Sequence, residues 1–320
     1  AGKAVLTDNS FTLADNNTTA LTGATLEAGS GNVTTVGDGN QHIGGLTING
    51  GTLQFNASAP EQIVATSLIT AVKEDVSHAG TVRLNLPIPF TPSPPDTPNT
   101  ANLLMQDEAN VGVQLVKAGT VSGSGGAITL TDQNRKVITA PRQLDVSQNG
   151  NIVARATYDY RLTSGPSMDG LYVNYGLKEL DLQAGQALTL AEERGATGAA
   201  ADMSAKITGS GNLAIDAGTG ALSLSNAISD YTGETSVNSG TLRSESDNAL
   251  GQTSQLNLAN TTGFDLNGKT QTLGALNGAA GSTLNINGGT LNLSNGGTSA
   301  GALTGAGQLN VTGGTLDVQG

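Results

Sequence analysis

The sequence predicts an all-β fold, a three-sided parallel β-helix, on three observations: an aromatic-poor, glycine-rich composition, a recurring Gly-Thr-Leu turn, and repeats about 20–25 residues long. The 320 residues include 45 glycines, no tryptophan, four phenylalanines and five tyrosines. One large globular core would draw on more aromatic volume. Charged residues make up 12% of the chain, against roughly 25% in average proteins. That argues against disorder, because long disordered chains are usually charge-rich. What remains is a core spread along a line and filled by Leu, Ile, Val and Ala, which is the composition of a solenoid.

The repeats carry this expectation. The chain reads LTINGGTLQF at 46–55, LNINGGTLNL at 284–293 and LNVTGGTLDV at 309–318. Shorter versions are LAIDAGTGALSL at 213–224 and TSVNSGTLR at 235–243. A preceding element recurs as ITGSGNL at 207–213, LNGAAGSTL at 276–284 and LTGAGQL at 303–309. Strand residues alternate, so Leu284 and Ile286 share one face. Asn287, Gly288 and Gly289 turn the chain, since glycine accepts positive φ without steric cost. Leu291 and Leu293 then point inward from a second short strand. A single coil buries too few aliphatics to stand alone, so coils must stack about 4.8 Å apart. The predicted division is an N-terminal part, 1–206, carrying insertions, and a regular repeat part, 207–320.

Two stretches break the rhythm. The first, about 56–118, holds Pro87, Pro89, Pro92, Pro94, Pro95 and Pro98. Proline removes a ladder donor, so this stretch is read as an extended loop leaving the rod. The second is 151–182. There Ile152, Ala154, Ala156, Tyr158, Tyr160 and Leu162 alternate with Val153, Arg155, Thr157, Asp159 and Arg161, and Leu171, Val173, Tyr175 and Leu177 return in the same phase. This reads as a β-hairpin with one apolar face. Insertions are where solenoids commonly place binding residues. The hairpin either packs its apolar face on the rod or forms part of a ligand surface, whose candidate residues are Arg135, Lys136, Arg142, Arg155 and Arg161 with Tyr158, Tyr160, Tyr172 and Tyr175. The expected ligand is a sulfated, glycosaminoglycan-like glycan or an acidic matrix protein.

A formal charge of −12 excludes duplex nucleic acid as a partner, since binding it needs a basic face. The absence of cysteine excludes disulfides and thiolate metal sites. No run is long enough to span a bilayer, and no signal peptide is present. His42 and His78 lack neighbours at metal-ligand spacing, and no nucleophile elbow appears. Acid pairs such as Glu74-Asp75 and Glu192-Glu193 read as solvated charge. No cofactor is expected. A polysaccharide-acting β-helix enzyme, with clustered carboxylates, is the alternative.

From 230 the chain reads DYTGETSVNSGTLR, then DNALG at 247–251 and LNLANTTGFDLNGKTQTLGALNG at 256–278. This ordered series resembles the passenger-associated repeat of bacterial autotransporters, over about 207–320. LYVNYGLKELDLQAG at 171–185 is similar to a stretch in passengers of the diffuse-adherence adhesin type. The resemblance implies a right-handed three-sided parallel β-helix, exported through an outer-membrane barrel and displayed on a Gram-negative cell. It further implies a non-enzymatic adhesin that binds host extracellular matrix or glycans, with self-association and biofilm formation as related roles. A stalk supporting secretion is a further alternative. The chain stops at Val318-Gln319-Gly320, directly after a repeat, so further coils and a barrel are expected beyond it.

Overall fold

In the computed structural model, residues 2–58, 63–86, 103–105, 112–165, 167–191 and 201–319 are described. The protein is all-β, with a short 3-10 turn at Leu103–Met105. Two compact units divide the chain. The first comprises Ala1–Pro98, Glu108–Arg142 and Tyr158–Gly176, and the second Asn99–Asp107, Gln143–Thr157 and Leu177–Gly320. The division departs from the predicted boundary at 206/207. The strands Asn151–Thr163 and Gly170–Leu182 each contribute to both units, so sequence order does not separate them.

In the second unit, parallel pairing advances by about one repeat at each step. Thr235 pairs with Leu256, Leu256 with Leu276, Leu276 with Gly297 and Gly297 with Leu316. A second ladder runs through Leu242, Phe264, Leu284 and Leu303, and a third through Gln271, Leu291 and Leu309. Parallel register puts like side chains on one face, so Leu242, Phe264 and Leu284 form one buried column. Ile286, Leu291 and Leu293 are buried as well. At the turn between Ile286 and Leu291, Asn287 and Gly288 have φ of 44° and 81°. Asparagine and glycine tolerate this left-handed region best, which is why such residues recur there.

In the first unit, one ladder joins Lys3–Leu6, Leu21–Gly29, Gly39–Asn49, Ser67–Asp75 and Val113–Ser122, all parallel. Another joins Ser10–Leu13, Val33–Val36, Thr52–Ser58, Gly80–Asn85 and Ile128–Asp132. Val36, Phe55 and Leu84 stand in register and are fully buried. The sheets are mixed, not uniformly parallel as predicted. Val113–Ser122 also pairs antiparallel with Gly170–Leu182, and Ala57 pairs antiparallel with Ala65.

The predicted excursion at 56–118 is too broad. Ser67–Asp75, Gly80–Asn85 and Val113–Ser122 are paired strands inside the first unit. Their alternating burial was obscured by the neighbouring prolines. Pro87, Pro89, Pro92, Pro94, Pro95 and Pro98 lie outside the described residues, as do Glu192 and Glu193. The segment 151–182 forms the strands Asn151–Thr163 and Gly170–Leu182, adjacent in a sheet. Its burial differs from a single apolar face: Ile152 is exposed, whereas Asp159, Arg161 and Thr163 are buried alongside Tyr158, Tyr160 and Leu162.

Candidate functional site

The aromatic and arginine residues singled out in the sequence do not make one surface. Tyr158, Tyr160 and Tyr175 are buried, and Tyr172 is half-buried. The Tyr160 and Tyr175 rings pack edge-to-face with centroids 5.2 Å apart. Tyr175 donates its hydroxyl to the Ala140 carbonyl at 2.7 Å, and Tyr172 donates to Asp169 at 2.8 Å. Burial pushes the Tyr158 and Tyr175 phenols up to about 12. These are core residues whose polar tips find partners, as buried tyrosines usually do. Arg161 is buried too. Arg155 pairs with Asp145 at 3.5 Å in the second unit, and Arg142 is half-buried in the first. Arg135 and Lys136 are exposed on a turn held by Asp132, whose carboxylate accepts the Asn134 and Lys136 amides at 2.8 and 2.9 Å. The alternation marks an apolar face, and the structure buries Tyr158, Tyr160 and Tyr175 rather than offering them to a ligand.

A better-built surface lies on the outer face of the first unit. Parallel register lays two rows across five strands there. One row is Lys3, Thr25, Gly45, Lys73 and Thr120; the other is Val5, Glu27, Thr47, Asp75 and Ser122. Between them runs a groove of about 410 Å³, whose polar lining includes Lys3, Thr25, Thr47, Lys73, Asp75 and Thr120. Threonine suits an exposed strand position because its branched side chain fits the pleat. The glycine at position 45 leaves the floor low, and the stem of Lys73 lies over it.

The charges of this groove are unequally committed. Lys3 meets Glu27 at 2.5 Å, and Asn49 donates to the same carboxylate at 3.0 Å. Those two hydrogen bonds hold Glu27 below the usual carboxylate range. Asp75 accepts from the Ser77 amide at 3.0 Å and the Ser77 hydroxyl at 2.6 Å, with His78 at 3.8 Å. Lys73 is exposed and has no ion-pair partner among the described residues. The groove therefore offers hydroxyl rows and one uncommitted cation. The sequence hid it because its residues are spread over five segments, from Lys3 to Ser122. His42, the other histidine, is half-buried on Gly39–Asn49.

The second unit carries polar rows of its own. Asn257 donates to Ser236 and Asn277 to Asn257, each at 3.3 Å, beside a cleft of about 280 Å³. Asn310 donates to Asn292 at 2.9 Å, and Asn292 to Thr272 at 3.3 Å. Among the described residues, no group of three or more His, Cys, Asp or Glu side chains is placed to hold a metal ion.

Two curated proteins of Escherichia coli (strain K12) are similar to the whole chain. The uncharacterized lipoprotein YdeK is 47% identical over 335 aligned positions, covering 100% of this chain and 25% of its own length. The uncharacterized protein YuaQ is 45% identical over 317, covering 97% and 23% respectively. The chain thus spans about a quarter of the relatives it matches. No protein-family model matches it, and no solved structure does. These findings overturn the assignment to autotransporter passengers. The proteins that align with the full chain are a lipoprotein and an uncharacterized protein, neither of which indicates a passenger. Short Gly-Thr-Leu and Ala-Leu-Gly signatures reflect the demands of stacked turns, and unrelated stacked-strand proteins meet the same demands.

Proposed function

We propose that this chain is a non-enzymatic adhesive segment of a cell-envelope protein, holding a linear acidic polysaccharide in the groove over Gly45. The observation that carries this reading is the pair of outward rows, in which Lys73 is the cation left uncommitted among hydroxyls. Rungs recur about every 4.8 Å, so an extended polymer can meet one rung after another. The name of the lipoprotein relative supports an envelope location. A net charge of −12 opposes an acidic ligand mainly through the acids nearest the groove, because fields of exposed charges fade within about 8 Å at physiological salt. The parallel ladders support a further reading, that the regular part of each unit winds as a right-handed three-sided β-helix.

The test is binding of heparin, of a uronate polymer and of neutral dextran to the full chain, at low and high salt. The expected result is saturable binding of an acidic polymer, weakened by salt and by Lys73→Gln, with dextran inactive. No binding to any acidic polymer, or binding indifferent to Lys73→Gln, contradicts the reading. Chain shortening of the polymer would favour the enzyme alternative.

A further inference from the structure

The strand that presents Lys73 and Asp75 to the groove carries a carboxylic acid on its other face. Glu74 is 3% exposed, and neither of its carboxyl oxygens has a hydrogen-bond partner. It stands between Leu46 and Val121 on the two flanking parallel strands, with Leu26 beyond Leu46. Leu26 and Leu46 are buried, so an acid occupies a place in an aliphatic column.

The charges around it leave this carboxyl unneutralised. On its own strand Lys73 and Asp75 belong to the outward rows, and His78 beyond the strand end approaches Asp75. On Gly39–Asn49 the titratable residue is His42, in register with Thr70. On Val113–Ser122 it is Lys117, also in register with Thr70 and exposed. Leu21–Gly29 carries Glu27, engaged by Lys3 and Asn49. The interior-facing strands Thr52–Ser58 and Val33–Val36 carry no titratable residue. An ionised carboxylate without partners in such surroundings is strongly disfavoured.

We propose that Glu74 is a proton-dependent latch: uncharged, it lets Ser67–Asp75 pack into the first unit, and ionised, it loosens that strand and the groove residues beside it. Burial, followed by the neighbouring charge of Asp75, pushes its pKa from 4.5 up to about 8. The folded state thus holds a proton that the unfolded chain has released. Stability is full below pH 4.5, falls as pH rises, and is lost in this part by about pH 8. The latch does not rest on the polysaccharide reading, since its readout is proton binding and unfolding.

The experiment uses the full chain. Carbon-detected NMR follows the glutamate carboxyls against pH, and urea unfolding is measured from pH 5 to 9 for the wild type, Glu74→Gln and Glu74→Leu. Hydrogen exchange of peptides spanning Ser67–Asp75 reports opening of the strand itself. One carboxyl should titrate near pH 8 and vanish from the Glu74→Gln spectrum. The unfolding constant of the wild-type first unit should rise by up to about tenfold per pH unit below pH 8, and that rise should be absent from both variants. Titration of Glu74 near 4.5, or parallel pH profiles for wild type and Glu74→Gln, overturns the latch. If Glu74→Gln fails to fold, the wild-type titration and Glu74→Leu decide.

Discussion

Lys73 crosses the bare backbone of Gly45: a methyl group added at Gly45 would lie 3.1 Å from Lys73 Cε and 2.7 Å from Thr25 Oγ1. The Lys73 contact is with the far end of a flexible side chain, which can swing aside. Gly45→Ala is therefore expected to raise the groove floor and displace the ammonium. Acidic-polysaccharide binding should weaken severalfold, and because Thr25 Oγ1 and Cγ2 would lie 2.7 and 3.1 Å away and must also give, stability should fall by about 1–3 kcal/mol. Isothermal titration beside urea unfolding separates the two effects.

The aliphatic columns make a second expectation quantitative. Phe264 is fully buried between Leu242 and Leu284 on neighbouring rungs. Phe264→Ala leaves a cavity in a stack that cannot collapse sideways, and should cost about 3–5 kcal/mol. Val318→Ala, at 49% exposure, should change stability by about 0.5 kcal/mol or less. Chemical unfolding of the two variants compares them directly.

Close approach between rungs sets a third. Gly297 has φ of 128°, and a Cβ there would sit 1.9 Å from the Leu276 carbonyl oxygen. Backbone cannot yield as a lysine tip can. Gly297→Ala should cost at least about 1–3 kcal/mol, and exchange protection should fall first in Ala275–Gly278 and Leu316–Val318, the strands paired with Gly297–Ser299.

Much of the strand architecture was legible in the sequence. Leu284, Ile286, Leu291 and Leu293 are buried where alternation put them, and the Asn287-Gly288 turn follows from the left-handed tolerance of those residue types. The candidate site was not legible. Tyr158, Tyr160 and Tyr175 alternate on an apolar hairpin face open to either core packing or ligand contact, and the structure buries them together with Asp159 and Arg161 of the opposite phase. Asp159 shows the consequence, for it is buried and satisfied by Thr139, the Ala140 amide and the Tyr160 amide at 2.5–2.7 Å. Glu74-Asp75 read as solvated charge, but only Asp75 is on the outward row. One residue of phase decides such a pair, and the phase of this strand depends on partners drawn from distant parts of the chain, Leu46 and Val121.

The most direct test of the groove is its footprint. Hydrogen exchange of the full chain, with and without saturating heparin at low salt, locates any bound polymer. Binding over Gly45 predicts added protection in peptides covering Leu21–Gly29, Gly39–Asn49, Ser67–Asp75 and Val113–Ser122, lost in Lys73→Gln. Protection confined to the Arg135–Lys136 turn or to the asparagine rows of the second unit, with none over Gly45, would contradict it.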